Sequence, residues 1–181
     1  MRQTLSAIVF LFIASLAQAQ DLTDAEIQKW VKAYQAIINW AESANIEEEL
    51  DNKAEPNEYS RIFSQMMEHS KKSKYYDTLV DVLDDNGYSD PTKWSDTGDR
   101  IMLAYVANEM DGQEAEMKQQ LQQMQAMMNS GMVPPEQKAM MEQMLAESGK
   151  AMQAASAAPE ADKKAVKRNQ ALLNSIMDPG E

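Results

Sequence analysis

The 181-residue chain contains no cysteine and a single histidine, His69. Without thiols it can form neither disulfides nor thiolate metal sites, and it cannot use a cysteine nucleophile. A Ser-His-Asp arrangement would have one possible base and no nucleophile that stands out near it. The sequence therefore predicts a non-enzymatic protein without a cofactor. The remaining enzymatic alternative is chemistry by carboxylates alone, at pairs such as Asp84 and Asp85 or Asp96 and Asp99.

Positive charge is also scarce. There are 17 Lys and Arg residues against 29 Asp and Glu, which gives a formal charge of −12. Such a chain repels the phosphate backbone of nucleic acids and the headgroups of anionic lipids. We therefore expect no nucleic-acid partner, and no membrane association of the mature protein.

Period-two alternation is missing as well, and the apolar residues instead recur at steps of three and four. Thr23 to Glu26 forms a capping box before the first such stripe, which predicts a helix over residues 24–43. Asp90 and Pro91 are a helix cap followed by a first-turn proline. The pattern as a whole predicts a single all-α domain of about six helices.

The first nineteen residues have the layout of a cleavable signal peptide. A basic start at Arg2 precedes an apolar run from Leu5 to Leu16, and Ala17-Gln18-Ala19 has the small-x-small form of a cleavage site. The run holds about 12 residues, fewer than the roughly 18 required for a membrane-spanning helix. The sequence therefore predicts residues 1–19 as a signal peptide, a mature domain over 20–181 and a periplasmic location.

In contrast to these scarce residue types, methionine is frequent: the chain contains 15, and eleven of them lie between Met102 and Met152 inclusive. The apolar stripe there predicts a long helix over about 91–129, roughly 60 Å in length, which exceeds a small domain. Either Gly112 breaks this helix or its second half projects from the domain. A following helix from Pro134 to Glu147 could fold back on it, so we expect residues 112–149 to form a projecting, methionine-rich hairpin.

The methionine cluster has three interpretations at this point. Methionines fill irregular cores, and the simplest interpretation is packing. They also form adaptable binding surfaces, in which case a partner protein or a second copy of the chain would contact the apolar hairpin. The third is a soft-metal site for Cu(I) or Ag(I) made of thioethers. The predicted partner-binding residues are Met117, Met124, Met128, Met140 and Met144, and the alternative metal ligands are Met124, Met128, Met140 and Met144.

The sequence shows two family resemblances. Asn86 to Trp94 together with Gly98 to Tyr105 resembles a signature of uncharacterised all-helical periplasmic proteins of Gram-negative bacteria, which implies a helical fold and no particular activity. Leu22 to Glu26 is more weakly similar to the Leu-Thr-x-x-Gln motif of small periplasmic stress chaperones, with Glu26 in place of the glutamine. This second resemblance implies a chaperone-like interaction module.

Overall fold

The computed structural model describes residues 21–46, 59–130 and 133–177, and every regular element in these ranges is helical. The all-α prediction is confirmed. Eight α-helices and one short 3-10 helix are present in the described part, somewhat more than the six expected. They are α1 (Asp24–Ala44), the 3-10 helix (Tyr59–Arg61), α2 (Ile62–Ser70), α3 (Tyr76–Asp85), α4 (Pro91–Glu109), α5 (Glu114–Asn129), α6 (Pro135–Ser156), α7 (Glu160–Arg168) and α8 (Gln170–Met177).

The predicted helix starts are formed by the capping groups that the sequence suggested. The Thr23 hydroxyl accepts from the Glu26 N–H at 3.2 Å, and the Glu26 carboxylate accepts from the Thr23 N–H at 2.8 Å. Asp90 accepts from the Thr92 N–H at 2.9 Å, with Pro91 at the first position of α4. These bonds satisfy backbone donors that have no partner within the helix.

An aromatic cluster forms the centre of the core. Trp30 of α1 and Trp94 of α4 are fully buried and stacked with ring centroids 5.8 Å apart, and Phe63 of α2 packs edge-on against both. The Trp30 indole N–H donates to the Trp94 carbonyl at 3.0 Å. Three helices thus meet at one point, where each large ring excludes a substantial apolar area from water.

The segment Gly98-Asp99-Arg100 fixes α4 to its neighbours. Gly98 provides the room for close packing: a Cβ there would lie 2.7 Å from Phe63 Cδ2 and 2.8 Å from Trp30 Nε1. Arg100 makes two hydrogen bonds, of 2.8 and 2.9 Å, to the fully buried carboxylate of Asp162 on α7. That carboxylate also accepts from the Leu22 N–H at 2.9 Å. One turn of α4 therefore ties α1, α2 and α7 together.

Of the two alternatives left open for the helix over about 91–129, the structure shows the break near Gly112. The segment divides into α4 and α5, with Gly112 between them at a φ of 80°. Glycine adopts this left-handed conformation without steric penalty, so the chain turns here. The predicted end of the next helix near Glu147 is wrong, since α6 continues through Gly149 to Ser156.

Residues 1–19, which carry the signal-peptide prediction, lie outside the described residues. None of the helices in the described ranges is both long and apolar enough to span a bilayer.

Candidate functional site

Helices α5 and α6 form a helical hairpin over Glu114–Asn129 and Pro135–Ser156. They are joined by a short connection at 130–134 and pack against each other, so they run antiparallel. Among the described elements, α5 packs substantially only against α6, whereas α6 also reaches α4 and the 3-10 helix. The hairpin is thus attached to the core through α6 and its base, and α5 is its outer helix.

The hairpin exposes methionine near its connecting end. Four large hydrophobic side chains of the described residues are exposed, and three of them are here: Met127 at 56%, Met140 at 67% and Met144 at 48%. Met140 and Met144 are four residues apart on α6, so they lie on one face of that helix. The fourth exposed residue, Leu172, belongs to α8. We call Met127, Met140 and Met144 the tip methionines.

The other predicted partner-binding methionines occupy different environments. Met128 is buried, with 8% of its surface exposed, and Met117 and Met124 are half-buried. Met117 faces a groove at the base of the hairpin. Met140 and Met144 are therefore the two most exposed of the five residues that were predicted to form a partner surface.

The groove at the base has a volume of about 620 Å³. It lies between the last turn of α4, the start of α5, the end of α6 and α7. Its wall combines apolar and basic side chains, which are Met110, Met117, Met152, Lys118, Lys163, Lys164 and Lys167. We call it the basal groove, and its size is in the range of ordinary ligand sites.

The carboxylate pairs that were the enzymatic alternative differ in their surroundings. Asp84 and Asp85 are exposed at the end of α3. Asp99 is buried and accepts from the Phe63 N–H at 2.7 Å and from the Ser64 backbone and hydroxyl groups. Burial raises the pKa of Asp99 above its usual range, although the Ser64 and Phe63 hydrogen bonds act in the opposite direction. These contacts make Asp99 the cap of α2, a structural role.

The described residues contain no cluster of three or more His, Asp or Glu side chains that could hold a metal ion. His69 is exposed, and its Nδ1 lies 2.8 Å from the Gln65 carbonyl oxygen within the same helix. This histidine therefore belongs to the surface of α2 and to no larger group of ligands.

The basal groove was not among the predicted sites, although the sequence carries one signal for it. Lys163, Lys164, Lys167 and Arg168 place four cations within six residues of a strongly acidic chain. A basic run of this density was identifiable, but the methionines of the groove belong to three other segments of the chain, and only the tertiary structure brings them to the lysines. No feature of the sequence around Asp162 indicated that its carboxylate would be buried.

The chain matches no protein-family model, and no curated protein or solved structure shows significant similarity to it. The resemblance to helical periplasmic proteins therefore stays a prediction, and the geometry alone has to support a function.

Proposed function

We propose that this protein is a non-enzymatic interaction module whose tip methionines bind an apolar segment of another protein. The observation that supports this proposal is the concentration of exposed methionine at one end of the hairpin. Methionine is flexible and polarizable, so such a surface adapts to apolar side chains of different shapes. The chain's charge of −12 opposes association of two copies, which favours a foreign partner over self-association.

Binding of a synthetic amphipathic Leu/Lys peptide tests the tip methionines, with a scrambled peptide of the same composition as reference. Fluorescence anisotropy should show tighter binding of the amphipathic peptide. The triple variant Met127→Gln, Met140→Gln, Met144→Gln should weaken it by about tenfold or more, because polar amides replace the apolar contact surface. Its thermal midpoint should stay close to that of the wild type, since these side chains are exposed.

Two controls separate this proposal from its alternatives. Leucine at the same three positions keeps the apolar volume and removes the sulfur, so it should preserve binding. Leu172→Gln, at the exposed residue of α8, should also preserve it. Equal binding by the glutamine triple variant would overturn the proposal. Loss of binding in the leucine variant would show that the flexibility and polarizability of methionine, and not apolar volume alone, are required for peptide binding.

We further propose that residues 20–181 form one exported domain in the periplasm. The layout of residues 1–19 supports this, since a basic start, an apolar run and a small-x-small site precede Gln20. Expression of the full chain in a Gram-negative host, followed by intact-mass measurement of the periplasmic fraction, should give a protein that starts at Gln20. A cytoplasmic protein that retains residues 1–19 would contradict export.

A further inference from the structure

The basal groove reverses the charge of the molecule around it. Four of its residues are lysines and two, Asp111 and Glu160, are acids. Lys163 pairs with Glu160 in the first turn of α7, and this hydrogen bond lowers the pKa of Glu160. A net positive lining in a chain of charge −12 attracts an anion to this groove.

Three of the four lysines are available for a ligand: Lys118 on α5, and Lys164 and Lys167 on α7. All three are exposed, and none of the ion pairs formed among the described side chains involves them. Lys164 and Lys167 are three residues apart on α7, so they lie on one face of the helix.

The lysine-bearing helix is held firmly in place. The Asn108 side-chain amide donates to the Lys163 carbonyl at 2.9 Å, which joins α7 to α4 beside the groove. On the same helix, the fully buried Asp162 is held by Arg100. A ligand that binds here does not have to order α7, and this preorganisation favours affinity.

The opposite part of the lining is apolar. Met110 directly follows the end of α4, Met117 lies on α5 and Met152 on α6, and each is half-buried. Ala155, which is buried, also lines the groove. Flexible methionines can fit around a hydrocarbon chain, and an inorganic anion would leave this part of the groove unused.

We propose that the basal groove binds a free long-chain carboxylate, with its headgroup at Lys164 and Lys167 and its hydrocarbon chain against Met110, Met117 and Met152. The ligand class follows from the lining: an anion for the lysines and an apolar chain for the methionines. This site is separate from the tip methionines, and neither proposal depends on the other.

Isothermal titration calorimetry with dodecanoate, below its micelle concentration, tests the inference on the mature protein. We expect saturable binding with one site per chain. Butyrate, which has the headgroup without the chain, should bind much more weakly, and so should dodecyltrimethylammonium, which has the chain with the opposite charge. Higher salt should weaken dodecanoate binding, because exposed lysines are screened.

The double variant Lys164→Gln, Lys167→Gln should weaken dodecanoate binding by about tenfold. The matched control Lys32→Gln, Lys93→Gln removes two exposed lysines outside the groove and should change the affinity less than twofold. Circular dichroism should show the same thermal midpoint for both variants, because all four side chains are exposed.

Absence of dodecanoate binding would overturn the proposal, as would equal binding of dodecyltrimethylammonium or an equal effect of the control variant. Cosedimentation with anionic phospholipid vesicles in the absence of dodecanoate binding would likewise overturn it, since it would assign the lysines to a lipid surface. The tip glutamine variant should still bind dodecanoate, and the Lys164→Gln, Lys167→Gln variant should still bind the amphipathic peptide. The two proposals can therefore fail separately.

Discussion

At the level of single residues, the stability of the fold depends on two buried carboxylates, and the role of each follows from the donors that surround it. Asp99 and Asp162 are both buried carboxylates in an acidic chain, and each is fully used as an acceptor of backbone and side-chain donors. Buried charge is destabilising unless it is paired and hydrogen-bonded. Asp99 meets this condition by capping α2, and Asp162 meets it by accepting from Arg100 and from the Leu22 N–H.

The Arg100 pair predicts a large effect of a single substitution. Arg100→Met leaves the carboxylate of Asp162 buried without its countercharge, and we expect unfolding free energy to fall by about 3 kcal/mol or more. Arg168 provides a matched control, because it also makes two hydrogen bonds to a carboxylate, that of Asp24, but this pair lies at the surface. Arg168→Met should leave the denaturant midpoint nearly unchanged, because exposed ion pairs contribute little. Equal shifts in urea unfolding of the two variants would contradict this distinction between the two pairs.

At the level of elements, the helix starts were the part that the sequence predicted best. A capping box and an Asp-Pro start are local signals, and the side chains involved bond to the backbone within three residues. The helix ends were predicted less well, because two glycines behave in opposite ways. Gly112 adopts a positive φ in the turn between α4 and α5, whereas Gly149 lies within the continuous helix α6. A glycine within a helix costs only about 1 kcal/mol, which the rest of a 22-residue helix can offset.

The candidate site could be predicted only in part for a related reason. Helical periodicity identified the methionine stripe and the hairpin, but it did not distinguish the buried Met128 from the neighbouring exposed Met127. That difference depends on how α5 is rotated against α6. The basal groove depends on four elements meeting, so no single segment could reveal it.

Two glycine substitutions test the packing of the elements in opposite directions. Gly98→Ala places a methyl group against Phe63 and Trp30 and should destabilise the protein by about 1–3 kcal/mol through overpacking. Gly149→Ala meets no atom within 4 Å, and it should stabilise α6 by about 0.5–1 kcal/mol by restricting the unfolded chain. Urea unfolding followed by circular dichroism measures both. A neutral or stabilising Gly98→Ala would show that α4 can move away from α1 and α2.

At the level of the whole molecule, burial is distributed very unevenly. The continuous apolar core is built from α1, α2, α3, α4, α7 and α8. Among the described side chains of α5 and α6, only Met128 and Ala155 are buried. Helices with so few buried contacts gain little stability from tertiary packing. Low local stability would allow the hairpin to adjust its shape when it binds a partner.

This distribution predicts two levels of stability in one chain, which amide hydrogen exchange can separate. Amides of α5 should exchange by local opening of the hairpin, with low protection that changes little with added urea, while amides of α1 and α4 should exchange only through global unfolding. Met128→Gln removes the one buried methionine between the hairpin helices and should lower protection in α5 further, because a buried amide side chain lacks a partner there. Protection in α1 should stay the same in this variant and serves as the internal reference. Equal opening free energies for α5 and α1 in the wild-type protein would show that the hairpin unfolds together with the core. In that case the tip methionines would be presented on a rigid surface, and adaptation to the partner could come only from the methionine side chains themselves.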